Sequence, residues 1–180
     1  MMKVDRSHDL LNLADKLGHE ARADDEAHAA LRLWLRLLAC TTQVETEIRR
    51  RLRTTFGISL ARFDYMAQLY RKPEGMRMKE LSRCLMVTGG NVTGLTDELE
   101  REKLVERSAD PADGRANVVK LTKSGRRAFQ DMATAHEGWI IELMGDLEDR
   151  AIKQLYEHLG TLRVQLLKDV SARGNVLPLD

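Results

Sequence analysis

With 180 residues, 43% of them hydrophobic and 32% charged, the chain suits one globular domain per subunit and excludes a disordered or membrane-embedded polypeptide. Its two cysteines, Cys40 and Cys84, have neither CxxC nor Cys/His spacing, so a disulfide framework and a zinc site are excluded and both read as reduced thiols packed as small hydrophobes. The net charge of +1 excludes a strongly basic surface overall; a nucleic-acid role requires folding to gather on one face the eleven basic residues between Arg77 and Gln130, which face eight acidic ones.

In chain order, residues 1–25 form an arm in which Leu10, Leu13, Ala14 and Leu17 repeat at helical spacing before Gly18, a residue suited to a left-handed helix cap. This start lacks an apolar run followed by a small-residue cleavage site, and no later stretch reaches membrane length, so a cytoplasmic address with no membrane partner is expected. A long helix is predicted from about Asp25 to Thr54, with Leu33, Leu37, Cys40 and Val44 on one stripe and Trp34, Leu38, Thr41 and Ile48 beside it. That apolar surface is too broad for a solitary helix. Ser59 can cap a second helix carrying Phe63, Met66 and Tyr70, which the Pro73–Gly75 turn stops.

From Lys79 the elements shorten. Lys79–Leu85 is a helix of one to two turns with Leu81 and Leu85 inward; a tight turn follows at Met86 and Val87, and Thr88 caps a helix whose inward positions are Val92, Leu95 and Leu99. Two short helices so joined make a helix-turn-helix. Val105–Ala109 and Asn117–Leu121 read as strands flanking the turn-forming run Asp110 to Arg115, a hairpin wing. Thr122 caps another long helix, with Ala128, Met132, Ala135, Trp139 and Leu143 inward, ending near Gly145. Asp146 can start the last, whose stripe is Ile152, Leu155, Leu159, Leu162, Leu166 and Val170. The expected fold class is mainly α with a small β-hairpin: a winged helix-turn-helix over 58–125, dimerisation helices at 26–57 and 146–180, and a connecting helix at 122–145.

The run GMRMKELSRCLMVTGGNVTGLTDELEREKLVERSADPADGRANVVKLTKSGRRAF sets a helix, a second helix, an L-V-E-R strand, a D-x-R turn and an L-T-x-x-G helix start in one order. With Arg107, Asp110, Asp113, Arg115, Leu121, Thr122 and Gly125 at their places in it, the chain resembles the multiple antibiotic resistance regulator (MarR) family from about Ala30 to its end. The resemblance implies a homodimeric transcription regulator with no cofactor and no enzymatic activity. It would bind double-stranded DNA at a palindromic operator, repress by default, and leave on binding a small-molecule effector. Lys103 stands where relatives usually have glycine, so it is expected to adopt a left-handed backbone costing about 1 kcal/mol.

Taking Val92 as the inward pole of the recognition helix, Gly90, Gly94, Asp97 and Arg101 point outward, flanked by Asn91 and Thr93. Glycine in a helix costs about 1 kcal/mol relative to alanine, so a bare face suggests close approach of the backbone to the major groove. Thr88, Asn91 and Thr93 would then supply the few hydrogen bonds, and the pair Gly89-Gly90 can alternatively mark a loose helix start. Arg115 can enter a minor groove or pair with Asp113 or Asp110. Lys79, Lys120 and Lys123 fit phosphate clamps as a group and solvated charges individually.

Sensing works if an effector favours one spacing of the two heads, which directs attention to Arg32, Trp34, Arg36, Phe63, Tyr65, His136 and Trp139 as lining residues, each with a packing or surface role as its alternative. The stretch LRLWLRLLACTTQVETEIRRRLR is similar to the branch answering aromatic acids or hydroxycinnamoyl-coenzyme A thioesters. The five histidines have neither metal spacing nor a nucleophile motif beside them. A second function class is a protein-binding adaptor or anti-regulator that keeps the fold without DNA affinity.

Overall fold

The computed structural model describes residues 29–85, 89–110 and 113–172. The arm helix at residues 10–17 and the Thr88 cap lie outside them. The described elements are α1 (Ala29–Phe56), α2 (Leu60–Arg71), β1 (Met76–Arg77), α3 (Met78–Cys84), α4 (Gly89–Arg101), β2 (Val105–Asp110), β3 (Asp113–Leu121), α5 (Lys123–Met144) and α6 (Asp149–Ala172). The chain divides after Arg50 into two units. In the first, the described part of α1 exposes Leu31, Leu33, Trp34 and Leu38. No helix among the described residues is long and apolar enough to cross a membrane.

The second unit holds the winged helix-turn-helix. Ser59 caps α2 as expected, its hydroxyl accepting from the Arg62 backbone N–H at 3.3 Å. The core is built from Tyr65, Met66 and Leu69 of α2, Leu81 of α3, Val92 and Leu99 of α4, Val105 of β2 and Val119 of β3, all enclosed. The inward face of α4 is Val92, Thr96 and Leu99, with Leu95 only half-buried. The sheet has three antiparallel strands in the order β1-β3-β2, with Met76 opposite Val119 and Val105 opposite Leu121. Strand β1 is invisible to alternation because it is two residues long; it exists only because β3 has a second edge to pair. The wing strands run further than alternation indicates, Asp110 pairing with Asp113 beyond a register shift.

Thr122 caps α5 through the Gly125 N–H at 2.9 Å, and its hydroxyl also donates to the Lys103 carbonyl at 2.8 Å. Lys103 has φ 59°, the left-handed conformation expected of it. Gly125 is required by space: a Cβ there would stand 1.8 Å from the Leu104 carbonyl oxygen. The buried residues of α5 are Gly125, Phe129 and Met132: Met132 lies inward as expected, Phe129 rather than its neighbour Ala128 fills the core, Ala135 and Trp139 are half-buried, and Leu143 is exposed. Phe129 is drawn inward by two rings of α2, Phe63 at 5.4 Å and Tyr70 at 4.9 Å between centroids. The cysteines need correction: both are free, but both are exposed rather than packed, because the α1 stripe that carries Cys40 with Leu33 is itself open and Cys84 stands at the very end of α3.

Candidate nucleic-acid interface

Helix α4 is the second helix of the motif, and its two faces differ completely. Outward, Gly89, Gly90, Asn91, Thr93, Gly94 and Arg101 are all exposed, as the periodicity predicts. A Cβ at Gly89, Gly90 or Gly94 would meet no atom of the described residues within 4 Å. Nothing in the packing of the described residues therefore asks for glycine there.

Inward and along its flanks, α4 is held by polar contacts that sequence periodicity does not reveal. The Tyr65 hydroxyl lies 2.6 Å from Thr96 Oγ1, both residues fully enclosed. Burial raises the Tyr65 phenol above its ordinary value, and the bond to Thr96 offsets part of that rise. Arg107 of β2 pairs with Asp97 and lies 3.5 Å from Glu100. Asp97, expected outward, is exposed but has its charge answered by the strand. Arg62 pairs with Glu102 just past the end of α4.

The cations are unevenly committed. Lys79 on α3, Arg101 on α4 and Lys123 at the start of α5 are exposed and make no ion pair among the described residues. Lys120 is half-buried and paired with Glu106 across the β2–β3 ladder at 3.2 Å. At the turn end of the wing, buried Asp110 pairs with Arg77 of β1, a contact for which the sequence held no signal because β1 itself was unseen. The backbone of Asp113 and Arg115 belongs to β3, and their side chains lie outside the described atoms.

The expected effector residues separate. Arg32, Trp34 and Arg36 stand on α1 before Arg50, all three exposed. In the second unit, Phe63 stacks on His136 at 5.0 Å, and Trp139 tilts against Phe56 at 6.1 Å. Tyr65 is not with them: its ring is in the core and its hydroxyl is engaged by Thr96. A cavity of about 260 Å³ opens elsewhere in this unit, lined by Phe56, Ile58, Arg62, Glu102, Leu104 and Met132 among others. The buried Arg62 Nε has no hydrogen-bond partner among the described residues. Sequence singled out none of these residues as lining an effector site, and only Met132 among those named as an inward position, since they come from four separate segments.

Comparison with known proteins places this architecture. The MarR family model matches residues 56–116. A MarR family transcriptional regulator from Silicibacter pomeroyi has a crystal structure 32% identical to this chain, covering 80% of it and 99% of the other, with a TM-score of 0.67. The transcriptional activatory protein BadR of Rhodopseudomonas palustris is 29% identical over 140 residues, 76% of this chain and 79% of BadR. The fold is also that of S. aureus MepR in a DNA complex, at 22% identity and a TM-score of 0.61 over 72% of this chain and 94% of MepR. These relatives are transcription regulators and not enzymes, and on its 32% identity to the Silicibacter pomeroyi regulator over nearly all of that protein the chain belongs to the MarR family of transcriptional regulators.

Proposed function

We propose that the protein is a homodimeric DNA-binding regulator, a repressor seated on a palindromic operator and released by a small organic acid or its acyl-thioester. The observation that carries the reading is the outer face of α4: three glycines with open space above them, flanked by exposed Asn91 and Thr93, on the second helix of a helix-turn-helix. A bare face of this kind lets backbone come close to base edges, and Thr88, Asn91 and Thr93 offer short polar groups for them. Lys79, Arg101 and Lys123 supply charge for phosphates, and Lys120 and Arg115 extend it along the wing, where Asp113 also stands.

Dimerisation is supported by α6, which exposes Ile152, Leu155, Leu159 and Leu166, an apolar stripe that soluble chains cover. A two-fold pair would set two recognition helices about 34–36 Å apart, matching successive major grooves. For the effector, Arg32, Trp34, Arg36, Phe63, His136 and Trp139 remain candidates, and the cavity lined by Arg62 and Glu102 adds a further place to test. A second reading, activation rather than repression, is favoured by the name of BadR, a transcriptional activatory protein.

The test is anisotropy titration of duplexes taken from DNA flanking the chain's own gene. A palindromic duplex should bind, log K should fall by about 0.9 per phosphate contact for each log unit of salt, and phenolic acids or hydroxycinnamoyl-coenzyme A thioesters should release it. A folded protein that ignores every duplex would leave the adaptor reading in its place. In vitro transcription from the bound promoter then separates repression from activation.

A further inference from the structure

We infer that Tyr65 is a positioning residue for base recognition: by donating its hydroxyl to Thr96 on the inner side of α4, it sets the depth at which the glycine-bare outer side meets DNA. The inference rests on the DNA-binding reading above.

The direction of the bond follows from counting hydrogens. Thr96 Oγ1 lies 2.6 Å from the Val92 carbonyl oxygen and 2.6 Å from the Tyr65 hydroxyl. A threonine hydroxyl has one hydrogen, and the carbonyl can only accept, so Thr96 donates to Val92 and Tyr65 donates to Thr96. The chain runs from the body of the head, through α2, into the backbone of the recognition helix. Both side chains are fully enclosed, so water cannot substitute for either partner.

Depth matters more here than on most recognition helices. Long side chains can swivel to reach a base when a helix sits slightly high or low; Gly90 and Gly94 cannot, and the backbone itself must arrive at the right distance. Apolar packing by Val92 and Leu99 holds the helix without a sharply preferred separation, whereas an O–H···O bond has a narrow one. Threonine back-bonding also bends helices, and Thr96 to Val92, with Thr93 to Gly89 at 3.1 Å, places two such bonds within the glycine-rich turns. The flank contacts from Arg107 restrain rotation but come from β2, which belongs to the wing.

The experiment compares the full chain with Tyr65→Phe on the operator duplex and on a scrambled duplex of equal length. Tyr65→Phe removes one hydroxyl and keeps the ring. Operator affinity should fall roughly fivefold to tenfold while scrambled affinity stays within about twofold, so that the specificity ratio drops. Thr96→Val should lower the ratio similarly, Thr96→Ser should retain it, and the double variant Tyr65→Phe/Thr96→Val should be no worse than Thr96→Val alone. If Tyr65→Phe does not fold, Thr96→Val and Thr96→Ser carry the comparison. An unchanged ratio, or a parallel loss on both duplexes, overturns the inference while leaving the DNA-binding reading intact. A wild-type chain that binds neither duplex overturns that reading and the inference with it.

Discussion

Helices α4 and α6 carry apolar residues at the same helical spacing, yet one is covered and the other is not. Val92 and Leu99 of α4 are fully enclosed, the helix packing against α2, α3 and β2, while Leu155, Leu159 and Leu166 of α6 are 49%, 43% and 57% exposed. Periodicity announces that a face is to be covered without naming what covers it. The head closes its core from its own chain, with polar ties at Tyr65–Thr96 and Arg107–Asp97. In α6 the same pattern points to a second copy.

The comparison breaks most readily at α6. Leu155→Glu with Leu159→Glu should give monomers by light scattering and lower operator affinity by about a hundredfold or more, with the helical content of the head retained. A persistent dimer would mean that α6 is not the covering face. Gly125→Ala tests the closed side: with a Cβ forced against the Leu104 carbonyl, urea denaturation should show a loss of about 2–3 kcal/mol.

Gly94 lies on the open side, and there stability and function should move in opposite directions. Gly94→Leu should stabilise α4 by up to about 1 kcal/mol yet weaken operator binding about tenfold or more, and unchanged affinity would remove the close-approach idea. Lys103→Gly should raise stability by about 1 kcal/mol, because glycine accepts φ 59° without strain. The smallest effect concerns alkaline pH. Burial holds the Tyr65 phenol above its ordinary value near 10, so the unfolded chain releases that proton first and stability falls as pH rises past 10. Tyr65→Phe should make the alkaline limb of a denaturation profile shallower.

Much of this molecule could be read from residue order alone. Ser59 and Thr122 announce their helices because a cap needs only a side-chain oxygen three residues before a free N–H. The outward glycines of α4 likewise follow from local spacing, while the left-handed backbone of Lys103 follows from the family resemblance, which puts glycine at its place. What local pattern cannot carry is contact between distant segments. Strand β1 exists through β3, the burial of Phe129 in place of Ala128 on α5 comes from the rings of α2, and the exposure of Cys40 and Cys84 depends on what packs around their helices. The Tyr65–Thr96 bond joins residues 31 apart in the chain, and Arg77–Asp110 joins residues 33 apart. Short-range sterics and hydrogen bonding are written within a few residues, so the sequence determined the elements and their outward faces. Side-chain polarity at long range acts only after the chain has folded back on itself, so only the tertiary structure decided how the recognition helix is anchored and which apolar stripe stays open.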